Sequence, residues 1–223
     1  MEPRTHVDQE TWLKAQAWEM EAWRRNGNTW FHSAARRLVE TLGLKPRNPG
    51  DDWNFWWAEK FDGYRDLPLE IGNAVELGCG PYTNVRLIMP GRRIAHLVCS
   101  DPLVREYVRF RGRWLAEAVR SGVVALDDHP IEECPFVSDY FEVAVMINVL
   151  DHVRDAEECL RQFVRIARPG GYLVLGQDMT DPRIDPLRGE GEEGHPIQVT
   201  HELLDGALQG VTPVLKKILP RSE

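Results

Sequence analysis

The stretch Asn73-Ala-Val-Glu76-Leu-Gly78-Cys-Gly80-Pro81 decides how the rest of the chain is read. A short apolar strand runs into two glycines separated by one residue, and a proline follows, a residue favoured at the first position of a helix. Glycines without Cβ atoms let the backbone turn sharply and approach a ligand. At the carboxyl end of a strand in an open parallel sheet, such a turn faces the ligand crevice. A dinucleotide fingerprint would carry a third glycine at position 83, which is threonine here, so pyrophosphate binding is disfavoured. Glu76 lies on the strand just before the turn. An anion there opposes phosphate and suits a positively charged ligand.

Outward from this turn the pattern alternates between apolar runs and amphipathic segments. Strands are expected at 73–77, 94–99, 122–126, 141–147 and 171–176, with helices near 82–89, 103–120 and 155–167. Such alternation signals βαβ units and a sheet covered by helices on both faces. Asp101 ends the second strand, 21 residues beyond Gly80. A carboxylate at that place accepts both hydroxyls of a ribose, or else caps the helix that follows. For Glu76 the alternative is a buried partner to a backbone group.

Before residue 66 the chain reads differently. Residues 8–25 form a helix with Asp8 as its N-cap, and residues 30–42 form a second. A turn-rich linker spans 45–50, and an aromatic helical segment runs from 53 to 64. Seven of the eight tryptophans fall within residues 1–57. They either pack the N-terminal helices onto the sheet or wall an acceptor pocket. Tyr64 and Arg65 could reach a ligand from just before the first strand. The division expected is therefore an N-terminal Trp-rich helical cap at 1–66 and a ligand-binding domain at 67–223. Asp181 to Gly194 is a loop, His201 to Leu208 a helix, and Val211 to Leu219 a final strand.

Taken as a set, VELGCGP at 75–81, CSDP at 99–102, CPFVSDYFEVAVMINVLDHV at 134–153 and ARPGGYLVLG at 167–176 resemble the class I S-adenosylmethionine-dependent methyltransferases of the type 11/12-like small-molecule kind. The resemblance implies an α/β, Rossmann-like, doubly wound and mostly parallel sheet. It implies S-adenosylmethionine as cofactor and S-adenosylhomocysteine as product. Gly78 and Gly80 would line the methionine portion, with Glu76 near its amino group. Asp101 would hold the ribose, and Pro102 and Leu103 would lie against the adenine. Asn148 would sit beside the methionine end. The family often places an acid before its LPF-like element, where this chain has Pro130; Asp128, or the backbone of Ile131, would then meet the adenine amino group. The family's sheet also ends in an antiparallel hairpin, of which only 211–219 is found, so a homodimer covering the edge is one expectation.

Methyl transfer needs an acceptor lone pair held in line with the sulfonium carbon, and a base when that acceptor is a hydroxyl. His152 and His195 are the candidates, with Asp178 a third. Asn148 lacks the two prolines and aromatic that mark amine-methylating relatives. Asp151, Asp178 and Asp181 show no spacing specific to a metal site, and no metal is expected. A net charge of −8 argues against nucleic acid. The basic residues Arg105, Arg109, Arg111, Arg113 and Arg120 read as a solvated face. Four scattered cysteines, a polar start and the lack of a long apolar run fit a cytoplasmic protein away from membranes. The expected reaction is methyl transfer to a small-molecule acceptor, with an oxygen of a sugar-containing or other biosynthetic intermediate favoured. A protein or RNA methyltransferase, or a regulatory binder of the cofactor, are the alternatives.

Overall fold

The computed structural model describes residues 3–27, 66–110, 113–180 and 193–218. Five strands form one all-parallel sheet: β1 (Glu70–Leu77), β2 (Arg93–Ser100), β3 (Ala125–Asp127), β4 (Phe141–Ile147) and β5 (Ala167–Gly176), in the order β3-β2-β1-β4-β5. The order reverses between β1 and β4, and there the carboxyl ends of the strands open a crevice. The helices are α1 (Gln9–Gly27), α2 (Val85–Ile88), α3 (Val104–Tyr107), α4 (Trp114–Arg120), α5 (Ala156–Ile166) and α6 (His201–Ala207).

Side-chain alternation explains why β4 is apolar from Val143 to Ile147. Val143, Val145 and Ile147 join one buried cluster with Ala74, Leu97 and Tyr107, while Ala144 and Met146 join another with Val75, Leu77 and Phe163. A central strand of a parallel sheet is covered on both faces, so neither face can be polar. α5 supplies the second cover through Ala156, Cys159, Leu160, Phe163 and Ile166, a stripe at helical spacing. Asp155 caps it, accepting the Glu158 N–H at 3.0 Å. Burying a side chain such as Phe163 contributes about 1.5–3 kcal/mol.

Several expectations change at their edges. The helix expected from Pro81 begins only at Val85, because Thr83 takes a left-handed φ of 43° and the chain turns once more before coiling. The helix expected over 103–120 is two short helices, α3 and α4. The described residues of the expected last strand, 211–218, form no strand, and β5 stands at a sheet edge. The expected segments at 30–42, 45–50 and 53–64, with Tyr64 and Arg65, lie outside the described residues, as does most of the 181–194 loop. The basic stripe is a paired face: Arg105 bonds Asp128, Arg109 bonds Glu106 and Arg120 bonds Glu117. Arg113 is buried rather than solvated, over the Tyr82 ring at 4.6 Å; Arg111 is outside the described residues.

The N-terminal arm is stitched across the end of the sheet that bears the crevice. Val7 donates to the Arg154 carbonyl, Thr5 accepts from the Ala156 N–H, and Arg4 accepts from the Gln198 N–H. Asp8 then caps α1 as expected, accepting the Thr11 N–H at 2.7 Å. α1 buries Trp12, Ala15 and Met20, and Trp23 meets Tyr82 edge to face at 5.0 Å. Met20 and Trp23 pack into the core of the sheet domain, so the described part of the N-terminal cap is built into that core.

Candidate functional site

The floor of the site is the turn after β1. Gly78 and Gly80 have φ of 64° and 54°. Only glycine suits the first, since a Cβ at 78 would lie 2.5 Å from both methyls of Val149. At Gly80 nothing lies within 4 Å of a Cβ, so its requirement is conformational and its surface is open.

Glu76 is wholly buried beneath that turn. One carboxylate oxygen accepts the Asn84 N–H at 2.6 Å and the other the Val85 N–H at 3.0 Å. These are the orphan donors of α2, so the carboxylate anchors the second half of the turn from below. The geometry corresponds to the backbone-partner alternative and leaves the side chain without exposure to a ligand. Burial pushes its pKa up to about 7, against the lowering effect of those donors.

Asp101 closes the turn from the β2 side. Its carboxylate accepts the Gly80 N–H at 3.0 Å and the Leu103 N–H at 2.8 Å, which ties the glycine turn to the tip of β2. Burial and the nearby Glu19 carboxylate push it up to about 7. Pro102 and Leu103 are half-buried beside it, and Ile131 is buried in the turn after β3. Asp128 is turned outward into its pair with Arg105. Its neighbour Asp127, which sequence reasoning missed, is the buried acid: it accepts from Ser100 Oγ at 2.7 Å and faces His129 Nδ1 at 2.7 Å.

These two acids make the folded state pH-sensitive in a definite direction. A carboxyl group whose pKa is raised on folding stabilises the fold most when protonated, and that contribution fades as pH rises through about 7. Around Glu76 lie Arg86 and the Cys79 and Cys99 thiols; Asp101 faces Glu19 and His152. The ligand-free protein is therefore expected to gain Tm as pH falls from about 8 to about 5. Glu76→Gln should flatten that slope. A Tm rising with pH over the same window would contradict it.

The other wall follows β4. Asn148 takes a φ of 55°, and its Oδ1 accepts the Asp178 N–H at 3.2 Å. Gln177, another residue that sequence reasoning missed, ties the wall together. Its Oε1 accepts the N–H groups of Val149 and Leu150, both at 3.1 Å, and its Nε2 donates to Asp151 at 3.0 Å.

Asp151 is buried, with a side chain only 1% exposed. His195, 44 residues away in sequence, brings Nδ1 to 2.8 Å from Asp151 Oδ2. His152 packs against His195 with ring centroids 4.3 Å apart. Burial works against ionisation of Asp151, yet His152, His195 and Gln177 hold it well below the ordinary carboxylate range. Burial likewise opposes charging of His152, but the carboxylates of Asp151, Glu19 and Asp101 raise its pKa. Both expected histidines thus converge on one acid. Asp178 stays at the loop, its N–H spent on Asn148.

α1 covers this wall. Trp18 meets His195 edge to face at 6.2 Å, and a Cβ on Gly194 would collide with the Trp18 ring, so the loop bearing His195 lies directly on the helix. From the same helix Glu19 reaches inward, accepting from Trp23 Nε1 at 3.1 Å and the Tyr107 hydroxyl at 3.2 Å, with its other oxygen 3.6 Å from His152 Nδ1. A signal for Glu19 was present: it is a lone acid in the stripe Trp12, Ala15, Glu19, Trp23, at spacings of three and four.

The methyltransferase-domain family matches residues 75–175. These residues belong to the class I S-adenosylmethionine-dependent methyltransferases. The methyl donor of such a domain is S-adenosylmethionine, and S-adenosylhomocysteine is its product. The chain is 30% identical over 143 residues to an uncharacterised 37.1 kDa protein of transposon TN4556 from Streptomyces fradiae, covering 62% of this chain and 39% of that protein. It is 39% identical over 56 residues to the ubiquinone/menaquinone biosynthesis C-methyltransferase UbiE of Vibrio campbellii, covering 25% and 21%. The matched part is thus less than half the length of either relative. Among solved structures, YcgJ from Bacillus subtilis superposes with a TM-score of 0.55 at 16% identity, covering 66% of this chain and 64% of that one. The N-methyltransferase NodS from Bradyrhizobium japonicum superposes with a TM-score of 0.52 at 20% identity, covering 71% and 84%. Both likenesses concern the fold. Among the described residues, no helix is long and apolar enough to cross a membrane.

Proposed function

We propose that this chain transfers the methyl group of S-adenosylmethionine to a hydroxyl oxygen of a small-molecule acceptor. The observation that carries this reading is the convergence of Asp151, His152 and His195 at the carboxyl end of β4, beside Asn148 and under α1. A hydroxyl is a poor nucleophile until its proton leaves, and an imidazole oriented by a carboxylate accepts that proton. The oxygen then attacks the methyl carbon in line, the carbon–sulfur bond breaks, and S-adenosylhomocysteine departs. An amine acceptor, nucleophilic once neutral, would leave such a cluster less to do.

In this reading the turn at Gly78 and Gly80 carries the methionine portion of the cofactor, and Asn148 flanks it. Asp101 holds the ribose: two backbone donors already fix its carboxylate, and its remaining lone pairs face the hydroxyls. Pro102 and Leu103 border the adenine. For the adenine amino group this leaves the backbone near Ile131, since Arg105 holds Asp128 while Ser100 and His129 hold Asp127. The net charge of −8 supports a small molecule over a polyanion.

Calorimetry with S-adenosylmethionine and with NAD tests the cofactor assignment, with S-adenosylmethionine expected to bind and NAD not. Asp101→Ala should weaken cofactor binding by about 1–3 kcal/mol, since it leaves hydroxyl partners unpaired. Unchanged affinity would remove Asp101 from the ribose. Hydroxylated acceptors screened for S-adenosylhomocysteine release, with NMR of the product, test the oxygen. A product methylated only at nitrogen or carbon would overturn it.

A further inference from the structure

We infer that Asp151, His152 and His195 form a site for one divalent first-row transition ion, an inference that rests on reading this cluster as the acceptor end of a methyltransferase site. Each residue offers one ligand atom, and these atoms all lie within 4.8 Å of one another. Around a common ion at about 2.0–2.2 Å, such atoms stand roughly 3–3.5 Å apart, so small side-chain rotations close the set. Asp151 Oδ2 and His195 Nδ1 already face each other at 2.8 Å, and a cation would replace the proton between them. His152 Nε2 lies 3.9 Å from Oδ1 of the same carboxylate, and the ring also interacts with the Gly194 backbone.

The surroundings are those of a supported ligand set. Gln177 Nε2 donates to Asp151 Oδ1 at 3.0 Å and holds the carboxylate in place, with His195 Nδ1 against Oδ2. A histidine that ligates a metal through one nitrogen commonly donates its other N–H to a carboxylate. His152 Nδ1 is buried without a hydrogen-bond partner among the described residues, and it lies 3.6 Å from Glu19 Oε2. Ligation through Nε2 would draw that pair together. Ligands come from the loop after β4 and the loop before α6, with Glu19 behind them on α1, so ion binding would clamp the cap onto the sheet.

The donor set selects the class of ion. Two imidazoles and one carboxylate suit Mn²⁺, Fe²⁺, Co²⁺, Ni²⁺ or Zn²⁺ more than Mg²⁺ or Ca²⁺, which prefer all-oxygen sites. Three protein ligands leave positions open for the acceptor hydroxyl. An ion held there would act as a Lewis acid that lowers the pKa of a bound hydroxyl, so that the ion, and not a free imidazole, would promote loss of the proton before the oxygen meets the methyl group.

The test uses the full chain, freed of metal with a chelator and then titrated with Co²⁺ and Zn²⁺. Calorimetry and elemental analysis should give one ion per chain, and Co²⁺ should show ligand-field absorption bands. His152→Ala and His195→Ala should each weaken binding about 100-fold, and Glu19→Gln about 10-fold, the usual loss when the group behind a ligand is removed. His96→Gln, on an exposed histidine of β2, should change nothing. Uptake that persists in the His152→Ala/His195→Ala double variant would overturn the site, as would failure of the unaltered protein to hold an ion. Affinity for S-adenosylmethionine, measured on the same samples, keeps the two readings apart. Cofactor binding without ion binding would sink only the metal site, and no cofactor binding would sink the methyltransferase reading.

Discussion

His195→Ala, assayed in the ion-free protein, is expected to lower kcat/KM by about 10²- to 10⁴-fold, the range that a positioned general base supplies. Affinity for S-adenosylmethionine should stay within about twofold, because an interaction made only in the transition state leaves ground-state binding untouched. The His195 side chain is 26% exposed at the site's rim, so its truncation opens no core cavity. His152 lies deeper, between Asp151 and Glu19, and its replacement should cost cofactor affinity as well. The two losses should be less than additive, since both rings act through one carboxylate. A His195→Ala protein that keeps full turnover on a hydroxyl acceptor would remove the cluster from the chemistry. Added imidazole restoring part of the lost rate would identify the missing group as a proton acceptor.

Gly78→Ala should be the most damaging single methyl group in the domain. The left-handed conformation costs a non-glycine residue about 1–2 kcal/mol. The new Cβ also meets both Val149 methyls at 2.5 Å, and overpacking of this kind costs roughly 1–3 kcal/mol. The sum, about 2–5 kcal/mol, is a large share of the roughly 5–15 kcal/mol that holds a domain together. For a chain of this size it corresponds to a fall in Tm of about 5–15 °C. Gly80→Ala should cost only the conformational part, since nothing stands within 4 Å of its Cβ. Val149→Ala in the Gly78→Ala background should return the packing share and leave the rest. Equal melting temperatures for the two single variants would show that Val149 has room to move away.

Much of this was readable from the chain because the signals were local. β4 is placed at 141–147 as expected, since a strand buried on both faces needs a continuous apolar run, here Val143 to Ile147. Asp8 caps its helix as expected, through a residue three positions on. The glycine turn was legible because a positive φ leaves so few residue choices. What failed was continuity: the helix from Pro81 and the long helix over 103–120 have adequate local propensity, but Thr83 turns left-handed where Glu76 captures the Asn84 and Val85 N–H groups. The expected strand after 211 had apolar residues but no neighbour to pair with among the described residues.

The sequence alone determined the strand pattern and its glycine turn, because each depends on residues a few positions apart along one strand or bend; the bond from Gly80 to Asp101 joins two strands across 21 residues and is made by the fold. Tertiary structure decided which face of that frame does chemistry. Only folding brings His195 across 44 residues to Asp151, sets Glu19 of α1 behind His152, and turns Asp127 inward while Asp128 turns out. Those choices arise from how α1 and the loop before α6 lie across the strand ends. Electrostatic coupling acts through distance in space, and no spacing along the chain records it.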